Sequence, residues 1–507
     1  MKEKLLDTSK RTARLWCGIL IFVFVFAIML CAPKSYDDFH FADAARGSFS
    51  EMLSFALCYG NGRFLGNLAS VLLQLSPVLA ALAKASVITG IILLIPALLG
   101  QRGVPAIALS CLAILGMEPA LFAQSITWTC GFSNYVPPVF FSLLALYLLQ
   151  HYPQCPGKIL RKCLFCIGIA LCGLACQLFV EHSVIVHLAL AFLIFGISLG
   201  KERRVTLLPS VVFLLAVFAG AGIQLWIPKA FSQEVSGMDG YRSLHLGSLS
   251  DLVFCCARNF LRLSNQYCGL LGLPLCLGAW FAGRRTVSLR SQRADRWQQA
   301  LCVLPGSYML LSRLMNTNLW YGELGLLQQG LAAAAVLMPL GAWIWALWDE
   351  EDILHRNRQL LLLGFALFSL APLLIVHPLG YRVQFHSYIF LLLACFHGGQ
   401  SFVSGWTQNA LAMAEKALLA LCLVLALCQG STFVTIHTLD QTKHALIRQE
   451  MDNHSQEINI FRFPQSYVHD STDIMTGMYY YYEEPMDITF SVMDFDSWQN
   501  RYADIRK

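Results

Sequence analysis

The sequence predicts an all-α polytopic membrane protein with about 13 transmembrane helices and a small C-terminal extracytoplasmic α+β module. Three observations support this prediction: the composition, the lengths of the apolar segments, and the positions of Lys and Arg. Of 507 residues, 56% are hydrophobic and 13% are charged, and the mean hydropathy is +0.56. Such a chain cannot cover a water-facing surface, and many of its runs approach the ~20 apolar residues that cross a bilayer.

Thirteen apolar segments are assigned as spans: residues 15–32, 78–99, 104–120, 134–150, 163–180, 183–199, 205–226, 266–282, 299–315, 325–347, 359–376, 385–403 and 409–428. Cytoplasmic loops carry an excess of Lys and Arg. Basic residues precede the first span and recur at 102, 158–162, 201–204, 284–296 and 356–358, always on the same predicted side. The N terminus is therefore predicted in the cytoplasm and the C-terminal segment outside.

Charge and cysteine usage exclude some function classes. The net charge of +5 comes from short basic clusters between apolar segments, so it does not indicate nucleic-acid binding. The 18 Cys are scattered through apolar segments and none follows Cys428, so no disulfide framework is predicted. Cys163 and Cys166 form a CxxC within a hydrophobic run, where packing is the expected role of a thiol.

Two adjacent carboxylates, Asp37 and Asp38, directly follow the first span on the predicted outer side. They are either a functional pair or a solvated turn. The same topology places further polar and aromatic side chains on that side: Lys34, Arg63, Glu118, Trp128, Asn134, Glu181, His182, Arg242 and Arg382. No acidic or basic residue is clearly at the centre of a span, which argues against an ion relay through the bilayer. Broken helices at matching positions of two halves are not evident either.

The first outer loop, residues 33–77, is predicted to contain surface helices. Ser48 and Glu51 have capping-box spacing ahead of an apolar stripe from Phe49 to Leu57. Gly60-Asn61-Gly62 ends that helix, and the following apolar run, 64–75, is too short for an independent crossing. Arg63 is expected at the lipid headgroup level, either as part of a site or as an ordinary snorkelling Arg.

Three later outer segments carry candidate residues. In the stretch 128–138, Ser133 or Asn134 is predicted to cap the helix that begins at the following prolines. Trp128 and Tyr135 suit either an interfacial aromatic belt or a pocket for a sugar ring. Glu181-His182 and Gly380-Tyr381-Arg382 lie in short turns at the same rim, the latter being either a site cation or a plain turn.

Taken together, the DD pair, the NGR triplet at 61–63, the W-x-x-G-x-x-N-Y-x-x-P stretch at 128–138 and the late P-x-x-x-R resemble an uncharacterised family of bacterial polytopic proteins. That family is similar to the GT-C membrane glycosyltransferases, and the resemblance covers roughly residues 15–430. It implies a GT-C-like transmembrane domain (1–430), a polyprenyl-phosphate sugar donor and an acidic residue in the first outer loop that works in catalysis. In this sequence that residue would be Asp37 or Asp38. Val136-Pro137-Pro138 departs from the family pattern, where another aromatic is expected.

The chemistry of such a transfer suits these residues. It needs a base for the acceptor hydroxyl, cations for the departing phosphate and a pocket for the ring. Asp37 or Asp38 is the candidate base, and Arg63 and Arg382 are the main candidate phosphate ligands, since a guanidinium matches phosphate oxygens. The candidate substrate-binding residues are Arg63, Asn61, Glu118, Trp128, Asn134, Tyr135, Glu181, His182 and Arg382. A divalent cation shared by Asp38 and Glu118 is an open alternative.

Two more segments flank the predicted site. Residues 228–265, with Tyr241-Arg242, form a larger outer loop that ends in an amphipathic stretch and is a candidate cover for the site. Residues 431–507 form the small extracytoplasmic C-terminal domain, with strand-like runs at 458–461 and 487–490 and a Tyr479–Tyr482 run.

The resulting functional prediction is an inverting, lipid-phosphate-sugar-dependent glycosyltransferase of the bacterial cytoplasmic membrane. It would pass a sugar to a cell-envelope glycan or polymer on the outer face, with lipid-linked donor, glycan acceptor and membrane lipids as partners. The alternative is a transporter or flippase of a lipid-linked saccharide. A non-enzymatic assembly partner would leave the clustered outer polar residues unexplained.

Overall fold

The computed structural model describes residues 2–59, 62–101, 103–152, 159–200, 206–231, 243–244, 248–287, 291–314, 326–377, 379–403, 406–468 and 489–502. Most of these residues are helical. The first half of the chain contains α1 (Lys2–Leu30), α2 (Asp38–Ala44), α3 (Phe49–Cys58), α4 (Phe64–Gln74), α5 (Pro77–Leu98), α6 (Val104–Leu115), α7 (Pro119–Phe122), a π-helical turn (Ala123–Thr127), α8 (Thr129–Tyr135), α9 (Pro137–His151), α10 (Ile159–Ala175), α11 (His182–Ser198) and α12 (Leu207–Phe231).

The second half has the same helical character, with two small sheets. It contains β1 (Ser243–Leu244), α13 (Leu249–Tyr267), α14 (Leu273–Arg285), α15 (Gln292–Leu314), α16 (Leu326–Trp348), α17 (Ile353–Phe368), β2 (Val376–His377), α18 (Phe385–Val403), α19 (Gln408–Asp452), β3 (Glu457–Phe461), β4 (Thr489–Met493) and α20 (Phe495–Tyr502). Short 3₁₀ turns lie at Leu270–Gly272, Ala371–Leu374 and Tyr381–Gln384.

Seven helices within the described ranges are long and apolar enough to cross a membrane, or eight if one bent pair counts as a single span. The chain is therefore a helical, multi-pass membrane protein. Each of the thirteen predicted apolar segments overlaps at least one helix. The full count of thirteen spans stays a prediction, as does the orientation of the termini.

The predicted span at 104–120 is not one straight helix. Helix α6 ends at Leu115, and the helical segment Pro119–Thr127 leaves it at an angle of 84°. Pro119 occupies the first turn of the new segment, where its missing N–H costs no hydrogen bond, whereas it would interrupt a continuing helix. This bend carries the following π-helical turn and Trp128 sideways into the interior, where all five residues of the turn are buried.

The largest apolar core joins helices from both halves of the chain. It includes Ile88 and Ile92 of α5, Phe122 of α7, Trp343 of α16 and Phe385 of α18. At Gly278 of α14 the Trp343 ring packs so closely that a Cβ would overlap it. The burial of these large apolar side chains helps to hold α5, α7, α16 and α18 together.

Residues 33–77 contain the short helices α2, α3 and α4, and the predicted helix start at Ser48 is confirmed. Ser48 and Glu51 form the capping box at the start of α3, with the Ser48 N–H donating to Glu51 at 2.5 Å. Met52 and Ala56 are the buried part of the predicted stripe, whereas Phe49 is exposed. Asn61 lies outside the described residues.

The C-terminal segment contains a parallel strand pair packed on the first loop. Strand β3 pairs with β4 from Glu457↔Thr489 to Phe461↔Met493, which confirms the predicted strand at 458–461 and, for the one predicted at 487–490, residues 489 and 490. Residues 479–482 and 487–488 lie outside the described ranges. Helix α19 is continuous through residue 430, so the predicted domain boundary falls inside a 45-residue helix. Phe39 of α2 is part of the core formed with Ile447, Ile458 and Phe490.

Candidate functional site

Asp38 is fully buried and held by backbone amides. Its Oδ1 accepts a hydrogen bond from Cys130 N at 2.9 Å, and its Oδ2 accepts from Ser35 N at 3.1 Å and Thr129 N at 3.2 Å. The carboxylate thereby joins the turn before α2 to the start of α8. Each oxygen has two lone pairs, so Oδ2 is saturated by these contacts. We conclude that Asp38 has a positioning role, which separates it from its neighbour.

Asp37 is half-buried, and its Oδ1 accepts a hydrogen bond from the indole nitrogen of Trp128 at 2.9 Å. Burial, and next the negative charge of Asp38, raise the pKa of Asp37 from 3.8 to about 7, although the Cys130 thiol, the Arg382 charge and the Trp128 N–H act in the opposite direction. A carboxylate with a pKa near neutrality is suited to proton transfer at physiological pH. Asp37 is therefore the better candidate base of the pair.

The backbone that presents this pair is strained at Tyr36. This residue has a φ of 53°, in the left-handed region that non-glycine residues rarely adopt, at a cost of roughly 1–3 kcal/mol. The Tyr36 ring meets the Trp128 ring edge-on, with centroids 5.4 Å apart. The sharp turn lies between the end of α1 at Leu30 and the start of α2 at Asp38, and it directs both following carboxylates toward residues 128–130.

Arg382 lies over the aromatic rings beside Asp37. Its guanidinium carbon is 4.8 Å from the centroid of Trp128 and 5.7 Å from that of Tyr135. Its backbone N–H donates to Gln124 Oε1 at 3.4 Å, which ties the Gly380–Arg382 turn to the π-helical turn. Within the described part of the chain Arg382 forms no ion pair with a carboxylate. Its cation is positioned to meet an anionic group next to Asp37.

Arg63 occupies a different position from the one predicted. It is buried rather than directed at lipid headgroups, and it forms a bidentate pair with Glu181. Its Nε lies 2.9 and 2.8 Å from the two carboxylate oxygens, and its Nη2 lies 2.6 Å from Oε2. The guanidinium N–H groups of Arg63 are thus already paired with Glu181, because the loops that carry these two residues meet here. The pair holds the α4 start against the α11 start.

Tyr135 connects these two cations. The Arg63 guanidinium carbon is also 5.7 Å from its ring centroid, and the His182 ring stacks on it at 5.7 Å and 27°. The structure therefore brings together most of the predicted residues as one connected set: Asp37, Asp38, Trp128, Tyr135, Arg382, Arg63, Glu181 and His182.

Asn134 and Glu118 take other roles. Asn134 lies inside α8 instead of capping α9, and its Nδ2 donates to Cys130 O at 2.8 Å. The prolines do start α9, but α8 already occupies the residues before them, so Ser133 is not the cap either. Glu118 is buried and accepts a hydrogen bond from Leu270 N at 3.2 Å, at the turn before α14.

Lys84 is a buried cation beside the candidate site that the sequence analysis did not single out. It lies on α5, is almost fully buried, and donates to Thr127 O at 2.6 Å and to Thr129 Oγ1 at 3.2 Å. Burial raises the pKa of Asp38, and the positive charge of Lys84 is the largest opposing effect. A lone Lys in an apolar run was the available signal, but only the fold shows that it supports the acidic pair.

The group that could hold a metal ion differs from the predicted pair of Asp38 and Glu118. Among the described residues, Asp37, Asp38 and Cys130 have their ligand atoms within 4.8 Å of one another. A thiol is a poor ligand for Mg²⁺ or Ca²⁺, which prefer oxygen. Three N–H groups also occupy Asp38. This donor set does not fit a hard divalent cation.

Comparison with protein-family models, with curated proteins and with solved structures finds no match to this chain. The resemblance to GT-C enzymes accordingly stays a prediction.

Proposed function

We propose that the protein is a GT-C-like membrane glycosyltransferase that moves a sugar from a polyprenyl-phosphate donor to a cell-envelope glycan on the outer face of a bacterial cytoplasmic membrane. The observation that carries the proposal is the juxtaposition of Asp37 and Arg382 around Trp128. A base with a pKa near neutrality and a cation that pairs with no carboxylate among the described residues lie beside the same aromatic ring. These are the two charges that transfer from a lipid phosphate requires.

In the proposed reaction Asp37 accepts the proton of the acceptor hydroxyl. The hydroxyl oxygen forms a bond to the anomeric carbon while the bond from that carbon to the phosphate oxygen breaks. The phosphate leaves with the electron pair, and Arg382 stabilises its charge. Attack opposite the leaving group inverts the anomeric centre.

Neighbouring residues position Asp37 and Arg382. Trp128 fixes the Asp37 carboxylate through its N–H, and its ring together with that of Tyr135 offers apolar faces to a sugar. Asp38 and Lys84 hold the segment 127–130 in place. Arg63 and Glu181 hold the rim, so the phosphate is assigned to Arg382 rather than to both arginines.

One observation favours the runner-up, a transporter or flippase of a lipid-linked saccharide. The 84° break between α6 and α7 leaves a discontinuous helix next to the site, and discontinuous helices line the substrate sites of many transporters. The buried Lys84 is a further charge within an apolar helix.

The deciding experiment incubates purified protein in liposomes with a set of polyprenyl-phosphate sugars and envelope glycans. An enzyme forms a new glycosidic bond, and Asp37→Asn abolishes it while donor binding is kept. A transporter moves the lipid-linked saccharide between leaflets without forming a bond. Transfer at an unchanged rate by Asp37→Asn contradicts the assignment of the base.

A further inference from the structure

Three histidines lie together beneath Tyr135 and take no part in the proposed transfer. His182 and His187 are on α11, and His386 is in the first turn of α18. His187 and His386 are buried, and the His182 ring lies 6.3 Å from the His386 ring. Together they extend from the aromatic rim into the helix bundle.

The two buried imidazoles, those of His187 and His386, approach each other through their Nε2 atoms. Nε2 of His187 lies 3.3 Å from Nε2 of His386, and their ring centroids are 5.2 Å apart. Two histidines on one tetrahedral Zn²⁺, each with a bond of about 2.0–2.1 Å, have nitrogens roughly 3.3 Å apart. The observed spacing equals that value.

Hydrogen bonding satisfies this arrangement only in part, because Nε2 of His187 is within hydrogen-bond distance of both Ser142 Oγ and His386 Nε2. The Ser142 hydroxyl donates to Pro138 O at 2.7 Å, so its oxygen accepts at 2.7 Å from an N–H at His187 Nε2. An imidazole nitrogen offers either one N–H or one lone pair, never both. His386 Nε2 is therefore left with a share of the N–H that His187 already donates to Ser142, at the longer distance of 3.3 Å. A cation that accepts a lone pair from each ring would satisfy both nitrogens.

We propose that His187 and His386 bind one divalent cation of the Zn²⁺ class through their Nε2 atoms. Ser142 Oγ lies 2.7 Å from Nε2 of His187, and the His182 ring lies 6.3 Å from the His386 ring. Imidazole ligands suit Zn²⁺, Cu²⁺ and Ni²⁺ rather than Mg²⁺ or Ca²⁺. The site would join α9, α11 and α18 directly below the ring of Tyr135, separate from the group of Asp37, Asp38 and Cys130.

The test measures metal binding by the full chain, purified in detergent and stripped with a chelator. Co²⁺ serves as the spectroscopic probe and Zn²⁺ as the competitor. The wild-type protein should bind an equivalent of Co²⁺ with a nitrogen-ligand spectrum, and Zn²⁺ should displace it and raise the melting temperature. His187→Ala and His386→Ala should each weaken this binding by roughly tenfold or more.

Two control variants separate this site from other metal ligands. Cys130→Ser removes the thiol beside the acidic pair, and His355→Ala removes a buried imidazole from a tilted pair with His397, whose rings are 4.6 Å apart. Both control variants should still bind one equivalent of Co²⁺. If His187→Ala lowers expression, His187→Gln retains a polar side chain and should lose the metal in the same way.

The proposal is overturned if the stripped wild-type protein takes up no Co²⁺ at this site. It is equally overturned if both histidine variants still bind one equivalent of Co²⁺, or if Cys130→Ser no longer binds it. None of these readouts depends on sugar transfer, so the outcome is independent of the proposed function.

Discussion

The indole N–H of Trp128 donates a 2.9 Å hydrogen bond to Asp37, and the Arg382 guanidinium lies 4.8 Å from the centroid of that indole. One side chain therefore orients both the candidate base and the candidate phosphate ligand. The bend after α6 and the π-helical turn bring Trp128 to this position. π-Helical turns of this kind often occur at functional sites.

The two aspartates should respond differently to the same substitution. Asp37→Asn removes the base and should lower transfer by about 10²–10⁴-fold without loss of folding. Asp38→Asn turns an amide NH₂ toward backbone N–H donors and should cost about 1–3 kcal/mol of unfolding free energy. Transfer assays and thermal melts measure the two effects.

Asp43→Asn is the matched control for both changes. Asp43 lies on the same short helix and pairs with Arg46 at 3.6 Å, with both side chains partly exposed. It should leave transfer and melting temperature nearly unchanged. A stable Asp38→Asn together with an active Asp37→Asn would contradict both the positioning role of Asp38 and the catalytic role of Asp37.

Substitutions of Arg382 and of Arg63 should also have different effects. Arg382→Lys keeps the charge but loses the planar fork and its stacking on Trp128, so donor binding should weaken and transfer should fall. Arg63→Ala should instead lower stability, because it leaves the Glu181 carboxylate without its bidentate partner. The double variant Arg63→Ala with Glu181→Ala should recover part of that loss.

A lipid-phosphate binding assay and a double-mutant cycle of melting free energies provide the measurements. The assignment of the phosphate to Arg382 is rejected if Arg63→Ala weakens donor binding and Arg382→Ala does not.

The acidic side of the pH profile of sugar transfer, its acid limb, should reflect the ionisation of Asp37. The base works only when its proton has left, so transfer should rise with pH through about 7. Removing the nearby cation with Arg382→Gln should raise the pKa of Asp37 and move this limb to higher pH. An acid limb at the usual aspartate value near 4 would contradict the burial argument.

The raised pKa of Asp37 also makes the stability of the fold depend on pH. Its contribution to stability should fall as the pH rises, whereas transfer should rise. The folded state holds the Asp37 proton more tightly than the unfolded state, whose value is near 3.8. The contribution of this group to stability is therefore complete below about pH 4 and is lost as the pH rises to about 7. Asp37→Asn should flatten that part of the stability curve, whereas Asp43→Asn should not.

Gly66 provides a packing test of the rim. A Cβ on Gly66 of α4 would overlap the Asn134 side chain and lie 3.0 Å from Phe179 O. Gly66→Ala should destabilise the protein by about 1–3 kcal/mol and reduce transfer by displacing α8. Gly196→Ala on α11, where nothing lies within 4 Å of the added methyl, is the control and should be neutral or slightly stabilising. Equal melting temperatures for the two variants would show that α4 does not constrain α8.

Reporter fusions test the predicted topology. A reporter after Lys507 should be exposed outside, and one in the Arg284–Arg296 loop should be inside, because the basic loops alternate with the thirteen predicted spans. Protease protection and a compartment-specific reporter enzyme give the readout. Finding both fusions on one side would remove the single outer face on which the proposed site depends.

The sequence by itself determined the class of protein and the membership of most of the site. Long apolar segments specify helices in a membrane, because every backbone polar group must find a partner within its own segment. The capping box at Ser48 and the strand at 458–461 follow from local spacing and were predictable for the same reason. Asp37, Trp128 and Arg382 stood out as polar or aromatic residues at the ends of apolar runs.

Only the tertiary structure decided which residue does what. The Thr129 and Cys130 amides that hold Asp38, the Glu181 carboxylate that engages Arg63, and the buried Lys84 below Thr127 are contacts between residues 43 to 118 positions apart. Local pattern carries no information about such pairs, since they depend on the 84° bend after α6 and on how the helices pack. The roles of neighbouring, chemically similar groups diverge because burial and hydrogen-bond partners, not residue type, fix the availability of their lone pairs and charges.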